Sequence, residues 1–300
     1  MPRYRSPKKD RIMKIKFLSL LLAFSFGGWL SISAQSNADN TLLWEVSGKN
    51  LKKPSYLFGT FHLLCEGDLS IANAAGEKLK SCDQLALELD FDDPNMMAEM
   101  QNLAGMKDGK MLEDLLGAAK FKIADSIFTA KMGLSLKLLS GLKPMMAASM
   151  LYPSVLGCNP GSPELTLSKL AGDAKKEVIG LEKVSDQMEV FDKIPYQVQA
   201  DMLYSYITEV DKFKKETDEM LAIYRSANLN EMQKMMADPT YGLDKYLDLL
   251  LTNRNKNWVK QMQTIMPEKA TLFAVGAGHL GGTEGVINLL RKAGYTVKPL

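Results

Sequence analysis

"ATLFAVGAGHLGGTEGVINLLRKAGYTVKPL", residues 270–300, carries a complete unit of an α/β fold. Residues 272–275 are an unbroken apolar run of the kind a strand buried on both faces needs. Glycines 276, 278, 281 and 282 then break the run. "EGVINLLRKAGY" returns apolar residues at helical spacing, with Thr283 placed to cap the helix, and "TVKPL" reads as a closing strand. The same order recurs upstream. "SYLFGTFHL" leads through the helix-like "SIANAAGEKLKSC" to "QLALELD", and "ELTLSKLAGDA" leads to "KKEVIGLE". Repeated strand–helix–strand units build a parallel sheet. With "LLWEVSG" joined to "SYLFGTFHL" by a Lys/Pro turn, the pattern predicts an α/β fold, a mixed central sheet with flanking helices. Residues 42–92, 174–184 and 270–300 are expected to supply the sheet. About 93–160 and 185–265, rich in Met, Leu, Lys and Glu, are expected as helical insertions. The Met pairs there lie in apolar company and read as core filling rather than soft-metal capture.

Gly276, Gly278 and Gly281 also spell G-x-G-x-x-G, the turn that cradles a dinucleotide. The strand after the helix offers no acid for a ribose, which removes that reading. The histidines give a better one. The chain has two, His62 and His279, and each stands three residues after a glycine, in "GTFH" and "GAGH". Each closes a predicted strand, and other predicted strands end at Glu88 (with Asp90) and at Glu182. In an open α/β sheet the loops after the carboxyl ends of strands converge on the ligand crevice, so all four residues are expected on one rim. Two imidazoles and two carboxylates could hold a divalent metal with a position open for water. They could equally run metal-free acid–base catalysis, a glutamate orienting a histidine that activates water.

The N-terminus is expected to be an export signal. Residues 1–16 carry seven Lys/Arg against Asp10, an uncharged apolar run follows from Phe17 to Leu30, and "SISA" ends in small residues, so cleavage is expected after Ala34. Residues 35–300 would then be a single exported domain, periplasmic or extracellular, with no stable membrane anchor. A total charge of +2, with +6 in the first sixteen residues, leaves the remainder at −4, which argues against nucleic acid as a partner. Export permits disulfides, and three cysteines leave one over. If a bridge forms, it is expected to join Cys65 to Cys158 in the loop "GCNPGSP", with Cys82 free; the alternative is three free buried thiols.

Taken together, "LLWEVSGKNLKKPSYLFGTFHL" (42–63), "LALELD" (85–90), "VIGLEKVSDQ" (178–187), "NRNKNW" (253–258) and "FAVGAGHLGGTEGVINLLRKAGYTV" (273–297) resemble the TraB/GumN family. The resemblance implies a core distantly related to erythromycin esterase and haem-binding ChaN folds. It also implies peptide hydrolysis dependent on a divalent metal (Mn or Co rather than Zn) in the Tiki branch. Carried over by position, His62, Glu88 and His279 are the implied metal ligands, and Glu182 a ligand or general base. Arg254, beside Asn255, would hold a carboxylate or stabilise the developing tetrahedral oxyanion. An ion held this way implies activity that falls as the histidines protonate. Lys183 follows Glu182 where the family more often has Thr, which bears on substrate preference. The substrate would be a peptide or small molecule, and the rival reading is a non-catalytic protein that captures haem or peptide in the same crevice.

Overall fold

The structure is a computed structural model that describes residues 40–300; the expected signal segment lies outside the described residues. Eight strands form: β1 Leu43–Ser47, β2 Ser55–Thr60, β3 Leu64–Cys65, β4 Gln84–Leu87, β5 Pro160–Gly161, β6 Glu177–Gly180, β7 Thr271–Gly276 and β8 Thr296–Pro299. The helices are α1 Asn73–Ser81, α2 Met96–Leu103, α3 Leu112–Met132, α4 Pro144–Ser149, α5 Tyr152–Leu156, α6 Pro163–Asp173, α7 Val184–Lys193, α8 Tyr196–Thr208, α9 Val210–Arg225, α10 Leu229–Met236, α11 Asn253–Ile265 and α12 Val286–Lys292.

Six strands make one mixed sheet in the order β6-β4-β7-β2-β1-β8. The run β6-β4-β7-β2 is parallel, while β1 and β8 complete the sheet antiparallel. The apolar run at 272–275 sits inside the parallel part, buried on both faces, as its composition requires. Its neighbours β2 and β4 are buried throughout for the same reason. Trp44, Phe58, Leu85, Phe273 and Trp258 belong to the core packed around the sheet. The insertions have a second core of their own, where Leu112, Phe121 and Phe128 of α3 meet Ala200, Leu203 and Ile207 of α8.

Two local expectations change. The last helix begins at Val286 with Gly285 at its N-cap and no side-chain cap, so Thr283 does not cap it. Residues 281–285 are taken up by a turn through Gly282 (φ +79°), which delays the first helical residue. The hairpin of β3 and β5 was also not foreseen. It pairs Leu64 with Gly161 and Cys65 with Pro160, and the Cys65–Cys158 disulfide crosses it with Cα atoms 5.6 Å apart.

The bridge links residues 93 apart, so in the chain-entropy account it stabilises by on the order of 4–5 kcal/mol. Cys82 is free and buried, and burial pushes its thiol up to about 12. Non-reduced protein is therefore expected to give one alkylatable thiol, Cys82, and that only after unfolding. Mass mapping that finds three thiols, or a bridge to Cys82, would overturn the pairing.

Candidate active site

The parallel strands end, in spatial order, at Gly180, Leu87, Gly276 and Thr60. Glu182, Glu88, His279 and His62 follow those ends by one to three residues, so the strand order lays them along the carboxyl edge. Glu88 is the first residue past β4. Its Oε1 accepts from the Gly276 amide at 2.8 Å, a contact that needs glycine there, since a Cβ on Gly276 would lie 3.2 Å from Oε1. Gly59 of the other G-x-x-H element is tighter still: a Cβ would meet Ala277 Cα at 3.1 Å. The two glycines let β2, β7 and the His279 turn close on one another.

Arg254, on the first turn of α11, occupies the point where the carboxylates converge. Its Nε donates to Glu182 at 2.9 and 3.1 Å, and its Nη2 to Glu182 at 2.8 Å and Glu88 at 2.6 Å. Nη1 donates to the Leu250 carbonyl at 3.1 Å and to His279 Nε2 at 3.3 Å. A guanidinium has five N–H donors, and each has an acceptor here. Gln187, on α7, joins both carboxylates from the other side, 3.2 Å from each. The guanidinium also lies over the Trp258 ring, 4.8 Å from its centroid.

His279 is buried, and its ring packs on Trp258 at 4.3 Å between centroids. Its tautomer follows from Asn255. That amide donates Nδ2–H to the Glu284 carbonyl at 2.9 Å, so Oδ1 faces His279 Nδ1 at 2.6 Å as an acceptor. Nδ1 therefore carries the proton, and Nε2 accepts from Arg254. Although it closes a strand at the rim, His279 lies under α11 rather than in solvent.

His62 is different. Its side chain is 72% exposed, and its Nδ1 lies 2.9 Å from Glu164 Oε1, on the first turn of α6. Glu164 is buried and also accepts from Ser162 Oγ at 2.8 Å. Of the four expected residues, then, Glu88, Glu182 and His279 gather around Arg254, while His62 pairs with Glu164. The sequence reading missed Glu164 and Gln187. An acid following Ser162-Pro163 looks like an ordinary first-turn residue, and Gln187 carries no charge to draw notice.

A family model described as TraB/PrgY/gumN matches residues 42–299. The chain belongs to that family. It is similar to the metalloprotease TIKI2 of Danio rerio, 20% identical over 317 residues that cover 86% of this chain and 61% of the relative. The chain thus spans about three-fifths of that relative's length. No solved structure matches it.

For a TraB/PrgY/gumN protein the question is whether these residues fit a divalent ion. The donor types suit one, but an ion needs several donors converging at about 2 Å. Among the described residues no three His, Cys, Asp or Glu side chains are grouped closely enough to hold one. His279 Nε2 is 4.0 Å from Glu88 Oε1, and the guanidinium lies against both. In this arrangement the residues do not fit the ion, and Arg254 balances the carboxylates instead. Nor is Arg254 free to bind an oxyanion, since its donors are all engaged.

The electrostatics follow. Burial raises the Glu88 pKa, but the charges of His279, Arg254 and His62 and the Gly276 amide outweigh it and hold the carboxyl down to about 2. Burial pushes His279 down to about 3, with Arg254 and His62 adding to it against Glu88. His279 is therefore neutral at neutral pH, so there Arg254, His62 and the amide hold Glu88 ionised. For His62 the surrounding protein lowers the pKa. The Glu164 hydrogen bond and the charges of Glu88 and Glu164 overcome that, and Arg254's opposition, to raise it to about 9. Water screens charge at so exposed a ring, so it is the 2.9 Å contact with a buried carboxylate that fixes the direction. His62 is an imidazolium at neutral pH. Beside the charged cluster a cavity of about 280 Å³ opens, lined by Glu182, Arg254, Asp186, Asn253, Asn257 and Gln261 among others.

Proposed function

We propose that this TraB/PrgY/gumN protein is an exported hydrolase that cleaves peptide bonds at the carboxyl edge of its sheet. The observation that carries the reading is the gathering of Glu88, Glu182, Arg254 and His279 from separate segments beside an open cavity. Burying ionised groups is expensive, and a cluster of them in a cleft is a candidate functional site. The disulfide supports export, since such bonds persist in oxidising compartments. The similarity to a metalloprotease supports peptide hydrolysis. An erythromycin esterase- and ChaN-like core is part of the same reading, supported by a crevice at the ends of parallel strands.

The side chains divide the work by protonation state. Glu182 and Arg254 line the cavity beside the cluster, where the peptide binds. The His62 imidazolium gives a proton from Nε2 to the departing nitrogen. Water adds its oxygen to the carbonyl carbon and releases a proton to solvent, so one water is consumed per peptide bond and solvent restores the imidazolium. Arg254 and the Gly276 amide keep Glu88 charged, and neutral His279 completes the wall. No step here runs through an ion.

Incubating the mature protein with a mixed peptide library, with and without a chelator, tests the reading. Cleavage of a subset of peptides is expected, strongly slowed in His62→Ala. Loss on chelation, restored by Mn or Co, would mean that Arg254 leaves the carboxylates to admit an ion. A protein that cleaves nothing in either condition, and instead retains haem or intact peptide, would overturn hydrolysis in favour of capture.

A further inference from the structure

We infer that Glu164 is the positioning residue of His62, and that the disulfide-bonded hairpin exists to place it there. The inference rests on the hydrolase reading for its purpose but on separate observations for its geometry. Glu164 belongs to no strand end of the parallel sheet and to none of the contacts around Arg254. It reaches the site from α6, whose first residue, Pro163, follows the end of β5 by two positions.

The hairpin leaves little freedom in that approach. His62 stands two residues before β3, and Glu164 three residues after β5. Between them the chain is fixed by the β3–β5 pairing, by the Glu66 amide donating to the Asn159 carbonyl at 2.9 Å, and by the disulfide. Ser162 sets the remaining degree of freedom. Its hydroxyl donates to Glu164 Oε2 at 2.8 Å and accepts from the Leu165 amide at 3.3 Å, so the cap that starts α6 also orients the carboxylate.

Energetics separate this from an ordinary helix-end acid. A glutamate in a first turn gains its favourable interaction with the helix dipole while standing in water. Glu164 is instead 3% exposed, and among the described residues its one cationic hydrogen-bond partner is His62, whose ring is open to solvent. Burying a carboxylate against an exposed imidazole is a poor way to hold a loop that a disulfide already ties. It is an effective way to fix which face and which nitrogen the imidazole presents, because a carboxylate on Nδ1 leaves Nε2 as the working atom.

The chain has two histidines, so each ring can be followed by ¹⁵N NMR in the full mature protein, with His62→Ala assigning the signals. Glu164→Gln keeps the side chain's size and removes its charge. It is expected to shift the His62 ring nitrogens while leaving those of His279 in place. On a peptide the protein cleaves, it should lower kcat by roughly 10–100-fold with KM little changed. Glu164→Asp should recover part of that loss, and the double variant with His62→Ala should be no slower than His62→Ala alone. If Glu164→Gln does not fold, the Cys65→Ser/Cys158→Ser pair replaces it, with the same His62 shift expected. His62 nitrogens that stay unmoved in a folded Glu164→Gln protein overturn the positioning role; unmoved in the folded cysteine pair, they overturn the hairpin's part in it. The nitrogen shifts need no substrate, so a protein that cleaves nothing yet shows them would sink the hydrolase reading and leave the His62–Glu164 unit standing.

Discussion

Replacing Arg254 by methionine is expected to lower the free energy of unfolding by about 3–5 kcal/mol at neutral pH, the range for breaking a buried ion pair by removing one partner. Methionine keeps much of the stem's apolar volume, so the loss reports the charge more than the packing. Glu88 and Glu182 have side chains only 8% and 9% exposed, and both depend on this one guanidinium. The sign of the pH dependence should reverse with the substitution. In the natural protein Glu88 is held down to about 2, so its contribution is present above its unfolded pKa and lost as pH falls through about 2. Without Arg254 burial dominates, and the Glu88 pKa is expected to rise above the unfolded value. Its contribution is then present below the unfolded pKa and lost as pH rises. The stability gap between the two proteins should therefore be widest at neutral pH and narrow toward about pH 4. Urea unfolding at both ends of that range decides it. A gap that is constant, or that widens in acid, would mean the guanidinium acts through packing on Trp258 rather than through charge.

Arg254 also marks how far the sequence could be read. Strand identities were legible because they are local: "LFAV" and "LALEL" are too apolar to sit anywhere but inside, and each ends in a residue able to do chemistry. Placing those residues on one edge needed only the rule that parallel strands share a direction. What the local pattern does not encode is strand order. Glu182 and His62 follow β6 and β2, which lie three strand spacings of ~4.8 Å apart, and that separation is why His62 takes a partner of its own. The centre of the cluster was legible only in part, for a related reason. Arg254 could be picked out of "NRNKNW" as a site residue able to hold a carboxylate, but only the packing of α11 against the sheet edge makes it the group that both carboxylates meet. Glu164 was hardest to see. It arrives through a hairpin whose strands are two residues long and lie 95 positions apart in sequence, too short to leave a periodic signature.

The histidines, alike in sequence context, should behave differently when removed. His62→Ala is expected to lower kcat by roughly 10²–10⁴-fold, the usual worth of a general acid or base. Its stability should change by no more than about 0.5 kcal/mol, as for other exposed positions. His279→Ala should lose both activity and stability, by about 1–3 kcal/mol. It empties a buried site against Trp258 and leaves the Asn255 carboxamide oxygen without its donor. The pH profile then distinguishes the role of His62. Ligation to an ion implies activity that rises with pH as the imidazole loses its proton. The Glu164 contact raises the pKa to about 9, so a proton donor should be active across neutral pH and fail as pH rises through about 9. The linked stability has the same sign, since a raised pKa contributes below the unfolded value and is lost above the folded one, but at an exposed ring it should be small. Rate–pH curves for the natural protein and for Glu164→Gln would test this together. The alkaline limb should move to lower pH when the carboxylate's charge is removed. A limb that stays in place, or activity that climbs through the same range, would remove His62 as the proton donor.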